Sequence, residues 1–331
     1  MEGSKPEVQS VRQTEDRFLA SDVFEGRERA LPPRNGTGYV EEPGRSVPVY
    51  HNADVLVVGG GPSGCAAAFA AARAGADVTL LERYNHLGGL PTGGLVIWID
   101  RMTDWDGNHI IRGFAQDILN QLPPEGKAGP NPEDWGSRDE QKAKYWGQRT
   151  SAFHGIVSWA PTIDPERLKV ATQEMLLAAG VRLVFHSWAA VPVVEDGRVT
   201  GVIFESKGGR QALMAKVVVD TTGDGDIFSR AGAEFDTDIE EGDVHHSANT
   251  AFMLGGVDMK TWLKFRAEEP EQFSEFCRLG RERCGYFQPP YVSWRNDIGL
   301  FLGPRQSGLS ALDVDDQTEL EIRSHRFMKT H

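Results

Sequence analysis

Cysteine is scarce: Cys65, Cys277 and Cys284 are the three in 331 residues. An odd, sparse count excludes a disulfide framework, and the spacing matches no zinc pattern, so neither a disulfide scaffold nor a metal site is expected. Long apolar runs are absent. Nothing approaches the ~18 residues of a membrane helix, and the opening residues 1–6 carry no apolar stretch of the kind that starts a secretory signal. Positive charge is in deficit. With 35 Lys and Arg against 48 Asp and Glu, the net charge is −13, which argues against nucleic acid and against an anionic membrane surface as partners. Together these absences lead us to expect a cytoplasmic protein. Internal repeats, low-complexity tracts, a P-loop, an HExxH and a nucleophile elbow are missing as well.

What is present is ordinary globular composition, 40% hydrophobic and 25% charged, long enough for about two domains. Glycine is abundant, 37 of 331 residues against a usual ~7%. Residues 1–47 read as a polar arm, mixed in charge and broken by Pro and Gly, loosely ordered or packed as an irregular strap. Asp54–Val58 is then a short apolar run that suits a buried parallel strand. Gly59-x-Gly61-x-x-Gly64 follows, with Pro62 and Ser63 between, and an alanine-rich helix closed by Gly75 comes next. Asp77–Leu81 is a second strand ending in Glu82. In that context the motif fits a dinucleotide: Gly59 for the tight turn, Gly61 for close approach to a pyrophosphate, Gly64 for helix–strand packing. Glu82 accepts ribose hydroxyls and repels a 2′-phosphate. A structural glycine turn is the plain alternative.

Two further stretches carry chemistry. Gly88-Gly89-Leu90-Pro91-Thr92-Gly93-Gly94 is a second glycine-rich loop, which a nicotinamide fold does not need and a flavin does. Residues 216–220 form a buried-type strand that runs into Thr221-Thr222-Gly223-Asp224-Gly225-Asp226 and returns the chain to the nucleotide. Between them, helical spacing covers 111–122. Asp164-Pro165-Glu166 opens another helix, with Asp as N-cap and Pro at the first position. Strands follow at 181–186, 191–194 and 199–204, the last two joined by an Asp196-Gly197 turn.

Taken together, these stretches resemble the FAD-dependent oxidoreductases of the glutathione-reductase-like superfamily, within the group related to succinate dehydrogenase and fumarate reductase flavoproteins. The resemblance covers about residues 52–256 and echoes weakly at 311–323. It implies an α/β fold: an FAD/NAD(P)-binding Rossmann-like three-layer domain with an interleaved β-rich substrate domain. The expected division is a discontinuous FAD-binding domain at 48–110 and 160–235, a helical and loop insertion at 111–159, and a cap at 236–331. The cofactor implied is FAD, held noncovalently because the loop offers Leu90-Pro91-Thr92 where a covalent link needs His, Cys or Tyr; His86 is the nearest group that could overturn this. The implied cofactor contacts are Gly59, Gly61, Pro62, Ser63, Gly64, Glu82, Arg83, Gly88, Gly89, Thr92, a backbone contact near Val191, Thr222, Gly223, Asp224 and Asp226.

For the chemistry beyond the flavin the residues speak less clearly. His245 or His246 could act as a base near neutral pH, and Arg295, beside Asp297, could anchor a carboxylate; a solvated histidine pair and a surface ion pair are the plain alternatives. Arg305 and His154 are weaker candidates. Trp98, Trp105, Trp135, Trp146 and Trp159 suit packing, with an aromatic substrate pocket as the alternative. The expected reaction is hydride transfer from a small organic substrate to FAD. An NAD-dependent dehydrogenase, a flavoprotein monooxygenase and a non-catalytic subunit are the competing readings. Members of the family continue past the helix around Arg323 with an arginine-rich segment beside the flavin. This chain stops at His331, so we expect that segment to be absent through truncation, supply by a partner subunit or divergence. A homo-oligomer is the other partner arrangement expected.

Overall fold

The structure is a computed structural model that describes residues 30–34, 36, 38–235, 248–306 and 309–331. Strand β1 (Val49–Val58) leads into helix α1 (Pro62–Arg73) and strand β2 (Val78–Leu81). Helix α2 (Phe114–Gln121), short strand β3 (Lys127–Ala128), helix α3 (Glu140–Gly147) and short strands β4 (Ala152–Phe153), β5 (Ile156–Val157) and β6 (Thr162–Ile163) follow. Helix α4 (Pro165–Ala178) returns to strand β7 (Arg182–Val184). Then come β8 (Trp188–Glu195), β9 (Arg198–Ser206), β10 (Gly209–Asp220) and helix α5 (Asp226–Arg230). The last part holds β11 (Phe252–Gly255), α6 (Met259–Glu268), α7 (Pro270–Cys284), β12 (Tyr291–Val292), β13 (Ile298–Phe301) and α8 (Val314–Thr330).

The main sheet runs β7-β2-β1-β10-β9-β8. Its first four strands are parallel and its last two pairings antiparallel. Apolar residues cover both faces. Val57, Leu80 and Leu176 pack among the small residues of α1, and Leu56, Val58, Leu213 and Phe204 form the opposite cluster. Alanine and glycine on α1 let the helix lie close to the sheet, with Gly64, Cys65 and Ala68 buried. The helix ends with Gly75 at φ +89°, the left-handed position a glycine C′ residue takes. Asp164 caps α4 through the Glu166 and Arg167 amides, and Asp196 and Gly197 both have positive φ, as the primed hairpin turn requires.

Some boundaries differ from the sequence pattern. Helix α2 starts at Phe114 because Gly113 sits at φ +68°, which leaves Ile110 and Ile111 exposed. The strand expected over 216–220 is only partly buried. Its partner β9 pairs with Gly209–Met214 alone, and Val217 beyond that point is half exposed. Ile118 of the segment 111–159 shares one apolar cluster with Ile97, Met102, Ile163 and Leu168 of the flanking segments and with Leu300 of the C-terminal part. Of the tryptophans of 95–160, Trp98 and Trp159 pack against this cluster, Trp98 stacking on Tyr291 and Trp159 on Trp135, while Trp105 is exposed. Among the described residues no helix is long and apolar enough to cross a membrane. All three cysteines are buried.

The described part of the polar arm is a strap. The amides of Ala30 and Leu31 donate to the carboxylate of Glu319 on α8 at 2.8–3.2 Å, and Arg323 donates to it at 2.7 Å. Arg34 pairs with Asp313 and Asp315 at the start of α8, and further along Glu42 takes Arg210 of β10 at 2.8 Å. Glu319 is fully buried. Burial raises its pKa, but the Ala30 amide, the Arg323 guanidinium and the Leu31 amide outweigh that and hold it below the ordinary value. A lowered folded-state pKa means stability that is present above the unfolded value and lost as the pH falls. Removing one partner of such a buried pair costs about 3 kcal/mol. We therefore expect Glu319→Gln to lower stability to urea at neutral pH by about that amount, with the gap to wild type narrowing below about pH 4.3 as the wild-type carboxylate protonates. An equal gap at pH 7 and pH 3 would contradict this account of the strap.

Candidate functional site

The site lies at the carboxyl ends of β1, β2 and β10, where the chain leaves β1 for β2 on one side and β10 arrives on the other. A gap opens there between parallel strands. A cavity of about 660 Å³ occupies it, within the ~300–1,000 Å³ usual for small-molecule sites.

The turn between β1 and α1 forms its floor. Gly59 has φ +101°, and a Cβ there would stand 2.4 Å from the Thr221 carbonyl oxygen. A Cβ on Gly64 would stand 1.9 Å from the Gly59 carbonyl oxygen and 2.6 Å from Thr221 Oγ1. These two glycines let α1 close onto β1 and β10. Gly61 is different. A Cβ there would meet no protein atom within 4 Å, because the residue faces the cavity. Pro62 and Ser63 continue the wall into the first turn of α1, whose amides lack carbonyl partners four residues back and carry the positive end of the helix dipole.

The second glycine loop packs against this turn. The Gly88 amide donates to the Gly60 carbonyl at 2.8 Å, and a Cβ on Gly89 would stand 2.9 Å from Gly61 Cα. Gly89, Leu90, Gly93 and Gly94 line the cavity. Thr92 does not: it is buried and donates from Oγ1 to the Leu87 carbonyl at 2.8 Å, bracing the loop from within. Gly88 and Gly64 likewise shape the wall without forming it. Cys65 lies behind the turn with Sγ 3.1 Å from the Gly60 carbonyl. Burial pushes its thiol up to about 12, so it is no nucleophile at neutral pH.

The end of β10 closes the other side. Thr221 Oγ1 sits 2.8 Å from the carbonyl oxygens of both Val58 and Gly59. Asp220 organises the loop that follows. One carboxylate oxygen accepts from the amide and hydroxyl of Thr222 at 3.0 and 2.8 Å, and the other accepts from the amides of Ile227 and Phe228 at 2.9 Å. Burial raises the Asp220 pKa, but these donors prevail and lower it. Thr222, Gly223, Asp224 and Asp226 all line the cavity. The strand-to-loop pattern signalled this loop; Asp220, which holds it, carried no signal beyond its place at the strand's end.

Glu82 ends β2. It is buried, and its oxygens accept from the Gly60 amide at 2.6 Å and the Tyr84 amide at 2.8 Å. Each carboxylate oxygen has two lone pairs, so acceptor capacity toward the cavity remains. Arg83, Tyr84, His86 and Trp188 stand around it on the wall. Sequence reasoning placed the β8 contact at Val191. In the structure Val191 is out on the exposed part of that strand, and Ser187, Trp188 and Ala189 line the cavity instead, because β8 meets the site where it begins. Arg295 is not brought to the cavity; it makes an exposed pair with Asp297 at 2.5–2.8 Å. His245 and His246 lie outside the described residues.

The residues present fit a dinucleotide of the FAD type: an open glycine facing the cavity at a helix N-terminus, flanked by an acid with spare lone pairs and a second glycine loop. The family model described as FAD dependent oxidoreductase matches residues 54–324. Digeranylgeranylglycerophospholipid reductase 2 of Methanopyrus kandleri is 26% identical over 231 residues, 61% of this chain and 50% of that protein. The thiamine thiazole synthase of Desulfosudis oleivorans is 43% identical over 58 residues, 18% of this chain and 22% of its own. The chain thus spans at most about half the length of these curated relatives. A solved geranylgeranyl bacteriochlorophyll reductase-like protein of Thermoplasma acidophilum superposes with a TM-score of 0.43 at 15% identity, over 85% of this chain and 62% of that one. With most of its length matched by the model, this chain belongs to the FAD dependent oxidoreductase family, whose cofactor is FAD.

Proposed function

We propose that this chain binds FAD noncovalently in the cavity described and serves the oxidation or reduction of a small organic substrate. The observation that carries the reading is Gly61, the one glycine of the β1–α1 turn's motif whose missing side chain leaves room for a ligand rather than for the protein. Bound there, FAD supplies two-electron redox chemistry by hydride transfer with the substrate. The amides of the first turn of α1 donate to the diphosphate. Glu82 accepts the ribose hydroxyls through its free lone pairs. Gly89, Thr222 and Gly223 let the backbone pass close to the rest of the cofactor, with Asp220 holding Thr222 in place. His86, with Nδ1 directed at the Leu87 carbonyl and Thr92, remains a neighbour rather than a point of attachment. The names of the curated relatives put isoprenoid lipid double bonds first in a substrate panel.

The purified full chain, alone or after incubation with FAD, is expected to absorb near ~370 and ~450 nm, with all of the colour released to the supernatant on acid precipitation. Colour held in the pellet would refute noncovalent binding, and a chain that takes up no flavin would refute the reading.

The two kinds of glycine separate ligand from fold. Gly61→Val is expected to leave the unfolding midpoint unchanged and to abolish FAD binding. Gly64→Ala, which meets backbone, is expected to cost about 2–3 kcal/mol of stability. Equal destabilisation by both would show that Gly61 serves packing.

Asp220→Asn replaces an acceptor-only group with one that donates toward the Ile227 and Phe228 amides. We expect FAD affinity to fall at least about tenfold while the far-UV spectrum holds. Since the folded Asp220 pKa is lowered, its contribution stands above the ordinary ~3.9 and fades below it. Wild-type FAD binding should therefore weaken through that range, and the variant should lack this component. Unchanged flavin titrations in the variant would remove Asp220 from the site.

A further inference from the structure

A second group of side chains stands apart from the glycine turns of the cavity. The Arg101 guanidinium lies 4.3 Å from the ring centroid of Trp105 and 5.6 Å from that of Phe153. His154 meets Trp105 edge to face at 5.6 Å. None of these residues lines the cavity. Two hairpins bring them together. In one, Thr103 pairs with His109, and the amides of Ile110 and Ile111 both donate to the Met102 carbonyl at 3.0–3.1 Å. In the other, β4 and β5 are joined by His154-Gly155, with φ +50° and +76°, a primed turn that favours Asn-Gly. The Met102 amide donates to the Trp159 carbonyl at 2.6 Å, and the Trp159 amide to Thr103 Oγ1 at 3.0 Å. The first hairpin is thereby tied to the residues that follow the second.

Arg101 itself has φ +30°, a strained value for a residue with a side chain. The two rings hold its guanidinium in place, yet the side chain stays 40% exposed. Its ion-pair partner among the described residues is Asp100, 4.0 Å from Nε, and its two terminal nitrogens have no acceptor among those residues. Asp104, the next carboxylate, is turned into its own loop. It accepts from the amides of Asp106 and Asn108 and from the Asn108 side chain at 2.8–3.0 Å. A guanidinium with its fork open matches two oxygens of a carboxylate or a phosphate, and one already held by rings loses little rotamer freedom when it binds them. Beside it Trp105, Ile110 and Ile111 are exposed. They offer apolar surface to the first carbons of a chain attached to the acid.

We propose that the 101–111 hairpin binds a small anionic amphiphile, Arg101 clamping its carboxylate or phosphate head and Trp105, Ile110 and Ile111 taking the start of its apolar chain. A single molecule fits this surface and an acidic bilayer does not. One open guanidinium meets one head group, while Asp100, Asp104 and Asp106 stand on or beside the hairpin in a chain of net charge −13 and repel a surface of like charge. Asp100 competes with the ligand for Arg101 and holds the affinity down. The site stands independently of the flavin reading above.

The test is calorimetric titration of the full chain with octyl phosphate, octanoate, inorganic phosphate and, as the neutral control, octanol, the amphiphiles kept below their micelle concentrations. We expect one molecule of octyl phosphate or octanoate to bind per chain, more weakly as salt is raised, and the preference between the two to name the head group. Octanol should bind at least about tenfold more weakly than the preferred acid. Arg101→Lys keeps the charge and loses the fork, and should cost about threefold or more in affinity. Arg101→Asn loses both, in a residue that a left-handed backbone accepts, and should cost at least about tenfold. Ile111→Ser should weaken the amphiphile about three- to tenfold and leave inorganic phosphate unaffected. Asp100→Asn should tighten the acids, an effect that lost packing would not produce. Far-UV spectra should match wild type in all four variants. No binding of either acid, wild-type affinity in Arg101→Asn, or octanol bound as tightly as the acids would overturn the clamp. A chain that ignores the monomeric acids and sediments with phosphatidylglycerol vesicles would overturn it too, and would make the hairpin a membrane contact.

Discussion

The close approach of α1 to the ends of β1 and β10 is the contact on which the rest of the site depends. Hydrogen atoms stand where Gly59 and Gly64 would otherwise carry Cβ atoms, and those positions are taken by the Gly59 and Thr221 backbone and by Thr221 Oγ1. This brings the first turn of the helix to the gap where the parallel strands part. It also lets Thr221 bond back to both Val58 and Gly59, so the return of β10 and the start of α1 are positioned by one another. The second glycine loop is then set against the turn, Gly88 bonding to Gly60 and Gly89 lying against Gly61. Three segments far apart in sequence thus share one cradle, and none has its shape without the others.

That cradle must solve an electrostatic problem. The chain carries a charge of −13, and Glu82, Asp224 and Asp226 all stand on the cavity wall. Bringing a diphosphate near carboxylates in a partly buried site is unfavourable by Coulomb's law. The structure commits much of this negative charge to internal donors. Both Glu82 oxygens face backbone amides, Asp220 accepts four hydrogen bonds, and Asp226 faces Arg230 at 3.6 Å. The donors left for a phosphate are neutral amides aligned by α1, which need no counter-ion and do not depend on pH.

The parts legible from the sequence are those whose physics is local. The strand–turn–helix–strand unit, the Asp164 cap and the Asp-Gly hairpin each rest on contiguous residues with fixed conformational demands; the cavity-lining Gly59, Gly61, Pro62, Ser63, Glu82 and Arg83 follow from that unit, and Thr222, Gly223, Asp224 and Asp226 from the strand-to-loop pattern at the end of β10. Contacts set by distant packing were not legible. Thr92 looked like a loop residue open to a ligand, but the loop folds its hydroxyl inward onto Leu87. Val191 has the β propensity of a site-facing strand, yet the chain meets the cavity three residues earlier, after the bend at His186. The Glu319 clamp on Ala30 and Leu31 spans nearly the whole chain, and no pattern in α8 announces it.

Glycine shows the same limit within one motif. Gly59, Gly61 and Gly64 are one letter in the sequence, and a dinucleotide fingerprint assigns them by position. In space they answer to different neighbours. At two of them the protein itself fills the place of the side chain, whatever the chain binds. The third is glycine with nothing of the protein in the way and an ordinary φ of −69°. Folding alone would tolerate alanine or more at that position. The space that Gly61 leaves is not filled by the protein, and this makes Gly61, rather than the fingerprint as a whole, the part of the motif that leaves room for a ligand.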